Sequence, residues 1–396
     1  MPPSLRHRIG YEGAMGFGPN YRCIIGVLAA WLACSLVALA AAPADPAAMA
    51  QYYGLLEQYN QAHAPYAAAA SAYWSSISEK RKLRNTKRAR GEDVSLDDYV
   101  LAQPPVYTGP PKPRNPALPP PPPPPRVPIV ADFLAAALAE FQFSPRLPPS
   151  DGDFKLAYAT LAKAARLTKD QVVRIYSFEA TGNGDYQIEA GFEYNKHARA
   201  VSTALGYNQL LGTNSVEIVA EDGNRFADVL HTQAAQLPAD QRQTLERKIG
   251  ILRKMIVFAK SVPDDWGQHE ILANTQKGLG VHALNLDLDV GPLLQTQKLL
   301  DSVIFARRKG ITTTLTAAEL EMMNLTGDGN GFDMVTMPLP WRDKVPTSNF
   351  FQPSGYADNP VVQRNNVVSR LLAATNTQMD TESKKPGAKE LAAAFQ

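Results

Sequence analysis

Thr168-Lys169-Asp170-Gln171-Val172-Val173-Arg174-Ile175-Tyr176-Ser177-Phe178-Glu179-Ala180-Thr181-Gly182 holds a helix start, an apolar face, a carboxyl and a helix stop in one short stretch. Thr168 followed by Gln171 is a capping box, in which each side chain satisfies the other's backbone N–H, so a helix is predicted from about Lys169. Thr181-Gly182 stops it within two residues of Glu179. Glu179 is thereby placed in the last turn, where hydrocarbon surroundings and the negative end of the helix dipole both oppose ionisation. A carboxyl that keeps its proton at neutral pH can deliver it to a glycosidic oxygen. A lone Glu near a helix end is ordinarily solvated or salt-bridged, so the weight rests on the rest of the chain.

Outward from this helix, apolar periodicity recurs over 133–141, 156–167, 245–259, 293–306, 317–323 and 361–373. Between Gly182 and Ala200 the pattern changes. Asp185-Tyr186-Gln187-Ile188-Glu189-Ala190-Gly191 alternates between glycines and predicts a hairpin or extended loop. The expectation is a mainly α domain over 129–380 with one small hairpin or loop insertion, followed by a polar, frayed tail at 381–396. Upstream, Tyr52, Leu55, Leu56 and Tyr59 give residues 45–103 a helical pattern that runs into a basic block, Lys80, Arg81, Lys82, Arg84, Lys87, Arg88 and Arg90. Such a block fits an anionic envelope polymer or an envelope protein, or else a solvated helix face. Residues 104–128 hold 14 of the 32 prolines, with an unbroken run at Pro119–Pro125. They read as a stiff polyproline II linker.

The 396 residues carry a net charge of +2 with 20% charged residues, which gives no strong field for nucleic acid. Residues 1–42 read as a leader: Arg6, Arg8 and Arg22 precede an uncharged apolar run from Cys23 to Ala42 that ends in small residues. A cleaved signal peptide is the preferred reading; the run is also long enough for an inner-membrane anchor. Either makes the protein exported or periplasmic. Both cysteines, Cys23 and Cys34, lie in this leader, so the remainder has no disulfide or thiolate chemistry. The six histidines form no metal-spaced pair, and neither a metal nor a cofactor is predicted.

Three segments in order, Glu179, then Ser202-Thr203-Ala204-Leu205-Gly206-Tyr207-Asn208-Gln209, then Met323-Asn324-Leu325-Thr326-Gly327, resemble the signature segments of the soluble lytic transglycosylase domain of the lysozyme superfamily. In that family a catalytic Glu ends a helix, a Gly-Leu-Met-Gln turn follows, and an Ala-Tyr-Asn-x-Gly segment comes later. The resemblance covers about residues 155–335. It implies a lysozyme-like helical fold and cleavage of the β-1,4 bond between N-acetylmuramic acid and N-acetylglucosamine in peptidoglycan glycan strands. Glu179 would be the one acid/base, with Ser202, Gly206, Tyr207, Asn208, Gln209 and Asn324 forming the glycan-binding set. The chain departs from the family at Ala180, where Ser is usual, at Tyr207-Asn208 in place of Leu-Met, and in the long stretch between Glu179 and Ser202. A water-using muramidase would want a second carboxylate across the cleft, for which Asp185, Glu189 and Glu193 stand as candidates. A non-catalytic wall-binding or envelope-scaffold protein is the rival from another class. Thr326–Asp333 lacks the ligand spacing of a calcium loop and reads as a Gly-rich turn.

Overall fold

The computed structural model describes residues 45–191 and 200–395. The leader and Glu193 lie outside the described residues. Among those described, no helix is long and apolar enough to cross a membrane.

The chain is mainly helical, as its patterning predicts. Four helices come first: α1 (Pro46–Ala89), α2 (Val130–Phe141), α3 (Asp151–Ala164) and α4 (Lys169–Glu179). Five follow: α5 (Gly212–Ala234), α6 (Ala239–Ala259), α7 (Trp266–Ala273), α8 (Gln276–His282) and α9 (Gly291–Arg308). Then come α10 (Ala317–Thr326), α11 (Asp328–Thr336), α12 (Leu339–Arg342), α13 (Pro353–Ala357), α14 (Pro360–Arg364), α15 (Val368–Glu382) and α16 (Pro386–Ala394). Extended pairing among the described residues is limited to isolated bridges, Glu189–Leu205, Leu205–Leu210 and Pro346–Val367. The expected hairpin or extended loop around 185–191 is an extended loop. It pairs with 201–206, through Val201 N donating to Ala190 O and Gly206 N donating to Ile188 O.

The chain divides into two compact units, residues up to Glu79 with Pro104–Pro124, and Lys80–Gln103 with Pro125 onward. In the first, Tyr107 of the proline-rich stretch packs on Tyr59, His63 and Tyr66 of α1, with ring centroids 5.2–6.0 Å apart. Tyr59, His63 and Tyr66 follow an i, i+4, i+7 spacing that presents one helix face. This part of the expected linker is therefore docked on a helix rather than free.

The second unit holds the large core. α5 packs on α6, α7, α8 and α9; α4 packs on α3, α10, α15 and α16; and α9 bridges α3 and α10. The periodicity given above omits α5, because Thr213-Asn214-Ser215 and Asp222-Gly223-Asn224 interrupt it with residues that favour turns. Packing overrides them. Gly223 is needed there, since a Cβ would lie 2.5 Å from Ile256 Cγ1 of α6.

Two boundaries differ from expectation. The basic block belongs to the second unit and much of it is already paired. Arg84 is fully buried and forms an ion pair with Asp333 of α11 at 2.7 Å. Arg88 and the Tyr99 hydroxyl meet the other oxygen of Asp333. Lys87 pairs with Asp98 at 2.7 Å, and Arg81 donates to the carbonyls of Asn349 and Phe351. These charges are matched inside the unit. The second difference is the tail. Residues 386–394 form α16, whose Ala388 and Leu391 are fully buried against α3 and α4. Its Leu391 and its Glu390, which pairs with Lys155 at 2.5 Å, anchor a segment whose composition looks polar.

Candidate active site

α4 begins as its capping box requires. Thr168 Oγ1 accepts from Gln171 N at 3.1 Å, and Gln171 Oε1 accepts from Thr168 N at 2.9 Å. Gln171 Nε2 also donates to Leu315 O at 2.8 Å, tying the start of α4 to the segment before α10. Val172, Ile175 and Tyr176 are fully buried. Glu179 is the last helical residue, and Thr181 (φ +52°) and Gly182 (φ +68°) turn the chain away. Gly182 cannot carry a side chain, because a Cβ would lie 2.2 Å from Glu382 O. The C-terminal segment clasps this turn: Ala388 N donates to Gly182 O at 2.8 Å and Lys385 Nζ to Thr181 O at 2.9 Å.

α10 presents the facing residues. It starts with a second capping box, Thr316 with Glu319, and ends at Gly327 (φ +78°). Glu321 and Asn324, three apart, share one helix face. Asn324 Nδ2 donates to Glu179 Oε1 at 3.0 Å. Glu321 is 0% exposed and its carboxyl lies in hydrogen-bonding reach of Glu179. Neither Glu321 oxygen meets a donor in good hydrogen-bond geometry among the described residues, and the nearby Asn324 amide only partly favours its charge. With both carboxyls ionised neither could donate, so the contact between them becomes a hydrogen bond only when one of them holds a proton.

Glu179 as a residue is half-buried, but its carboxyl end is enclosed. Desolvation pushes it up to about 7, against the lowering effects of the Glu321 hydrogen bond, the Lys298 charge and the Asn324 hydrogen bond. Glu321 is raised well above the ordinary carboxylate range, first by burial and then by the negative charge of Glu179. The site thus offers a carboxyl able to be acid or base near neutrality, an amide donor fixing one of its oxygens, and a second carboxyl behind it.

The 202–210 segment lies elsewhere in the same unit and supports the core. Gly206 (φ +79°) makes a tight turn whose Cβ position is 2.7 Å from Gln295 Nε2 of α9. Tyr207 is fully buried, donates to Asp151 Oδ1 at 2.6 Å and sets its ring edge-on to Tyr176 at 4.9 Å. A ring enclosed in this way has no face left to stack on a sugar. Asn208 is also buried, donating its side-chain amide to Tyr158 Oη and Gln295 O. Gln209 gives both amide hydrogens away, to Ile188 O at 3.1 Å and Gly206 O at 2.9 Å. Ser202 Oγ accepts from Ala204 N at 3.2 Å. Of the glycan-binding set expected from the sequence, the structure brings Asn324 to Glu179 and places Tyr207 and Asn208 in the core. Through Tyr207 and Tyr176 the turn holds α4 in place.

The second-carboxylate candidates are engaged too. Glu189 Oε1 accepts from Val130 N at 2.7 Å, and Asp185 Oδ1 from Gln187 N at 2.9 Å. Thr326–Asp333 is helical from Asp328 onward, with Asp333 committed to Arg84. Glu321 and Lys298 were not singled out by sequence reasoning. The available signal was the Glu321/Asn324 spacing on one face of a predicted helix. His282 was also passed over: burial pushes it down to about 4, and it bridges Ser215 Oγ and Thr203 O in a sealed network. A cavity lined by Arg166, Thr168, Gln171, Arg307 and Thr312–Thr314 opens at the other end of α4, about 15 Å along the helix from Glu179. No family model, curated protein or solved structure matches the chain.

Proposed function

We propose that this protein cleaves peptidoglycan glycan strands as a lytic transglycosylase, with Glu179 as its single acid/base. The observation behind this reading is the Glu179–Asn324 contact: an enclosed carboxyl at a helix end, poised near neutral pH and held on one oxygen by an amide. Glu179 and Asn324 are also residues that the lytic transglycosylase resemblance names for catalysis and binding. Glu179 would give its proton to the oxygen leaving C1 of N-acetylmuramic acid as the C1–O bond breaks. The resulting carboxylate would take the proton of the C6 hydroxyl as that oxygen bonds to C1, closing a 1,6-anhydro ring. No water is consumed and Glu179 ends protonated. The nucleophile belongs to the substrate and arrives already positioned, so one carboxyl suffices.

The position of Glu321 disfavours a two-carboxylate hydrolase. Inverting enzymes keep their carboxyls about 6.5–9.5 Å apart to admit water, and retaining ones about 5–5.5 Å. A carboxyl in hydrogen-bonding reach of Glu179 leaves no room between them for either arrangement. The test is release of soluble muropeptides from purified sacculi by the intact protein and by Glu179→Gln. General acid–base assistance is worth about 10²–10⁴ in rate, so the variant should lose activity by that order while remaining folded. Equal release by the two proteins would remove Glu179 from the chemistry.

A further inference from the structure

We propose that Glu321 is a positioning residue for Glu179, and that the two form a carboxylic acid–carboxylate pair held against Lys298 and Asn324. The functional meaning rests on the reading of Glu179 as acid/base; the proton sharing does not.

The argument starts from burial. Glu321 is 0% exposed, and neither of its oxygens meets a donor in good hydrogen-bond geometry among the described residues, the Asn324 amide being the nearby group that partly favours its charge. An ionised carboxylate so placed carries a desolvation penalty of several kcal/mol, which the Lys298 charge and the Asn324 amide offset only in part, since the group stays raised well above its ordinary value. A neutral carboxyl needs only an acceptor for its O–H, and the group facing it is the Glu179 carboxyl. Two like charges in contact do not both ionise. Charge balance agrees: Lys298 of α9 acts on both carboxyls, and one cation with one carboxylate and one carboxylic acid sums to zero. Several other charges on the packed elements are paired among themselves. Lys155 of α3 holds Asp151 and Glu390 of α16, Arg174 of α4 meets Asp380 of α15, Lys385 meets Glu382, and Asp333 of α11 meets Arg84 and Arg88.

The pair suits the proposed reaction. Asn324 fixes one Glu179 oxygen, and Glu321 braces the same carboxyl and shares a proton with it. Once that proton goes to the leaving oxygen, both carboxyls are charged and in contact. Their repulsion makes Glu179 a stronger base for the C6 hydroxyl, and the returning proton restores the pair.

The experiment is a titration of the full-length protein labelled with ¹³C at the Glu carboxyls, read by NMR as differences between wild type, Glu321→Gln and Glu179→Gln. Wild type should show two coupled steps above the ordinary carboxylate range, with a carboxyl proton retained at neutral pH. Each variant should show one step fewer. If Glu321→Gln fails to fold, the Glu179→Gln comparison alone decides, because it too must reduce two coupled steps to one. In sacculus digestion, Glu321→Gln should move the alkaline limb of the pH profile down by about one pH unit or more, because that limb then reports Glu179 alone and no longer the last proton of the pair, while a merely structural role would lower activity uniformly. Two independent steps in the ordinary range overturn the proposal. Coupled steps in a protein that cleaves nothing uphold the pair and count against the proposed function instead.

Discussion

Asn324 donates to the Glu179 oxygen in its ionised form, while the surrounding hydrocarbon favours the protonated form. Removing the amide should therefore shift Glu179 toward its proton. A hydrogen bond to a charged group is worth about 1.5–3 kcal/mol, which corresponds to about one to two pH units. Asn324→Ala is expected to move the alkaline limb of the sacculus-digestion profile upward by that amount. At neutral pH it should slow turnover, because the carboxyl is no longer held in position on that oxygen. This is opposite in sign to the Glu321→Gln shift, so the two variants separate a donor from a proton-sharing partner. Glu179 and Asn324 were legible as residues because each has a local signature, a helix stop for one and a Gly-terminated segment for the other. Glu321 was not, since its significance is a contact between two helices about 140 residues apart in sequence.

At the scale of elements, α4 and α10 are positioned by partners that sequence patterning reveals unevenly. Capping boxes at Thr168 and Thr316 are short-range and can be read directly. The roles of Tyr207 and Asn208 could not be, because a polar or aromatic residue in a turn can face either a ligand or the core, and only packing against Tyr176, Tyr158 and Gln295 decides. The basic block misleads for the same reason: a run of arginines looks solvated until a buried acid from a distant helix is found opposite it. Asp333 is lowered from the ordinary carboxylate value despite its burial, because Arg84 and Arg88 favour its charge. Asp333→Ala should thus leave Arg84 buried without its counter-ion and lower unfolding stability by about 3–5 kcal/mol, measurable by urea titration. An unchanged midpoint would mean that residues 80–103 are not integral to the second unit.

Over the whole molecule, α16 closes the second unit at the turn that follows Glu179. Leu391→Ala should destabilise by about 2–5 kcal/mol and speed amide exchange at Ala388, which donates to Gly182. Stability should also fall as pH rises. Glu179 and Glu321 are both raised in the folded protein, so it holds protons that the unfolded chain has lost; their contribution is full below about pH 4.5, and the Glu179 part is lost as pH climbs through about 7, the Glu321 part as pH climbs through its own raised value. Asp98, Asp289 and Asp333 are depressed and act oppositely, only below the ordinary carboxylate range. Melting temperatures should decline between about pH 5 and pH 8 in wild type and decline less in Glu321→Gln. The helical class of the chain followed from periodicity, while the seating of α16 and of residues 80–103 depended on long-range ion pairs that no window of sequence contains. The most direct test of the central claim is mass spectrometry of the ends released from purified sacculi. The account predicts 1,6-anhydro-muramic ends, each lighter by one water than a hydrolytic end, that vanish with Glu179→Gln; reducing ends, or anhydro ends that persist in that variant, would contradict it.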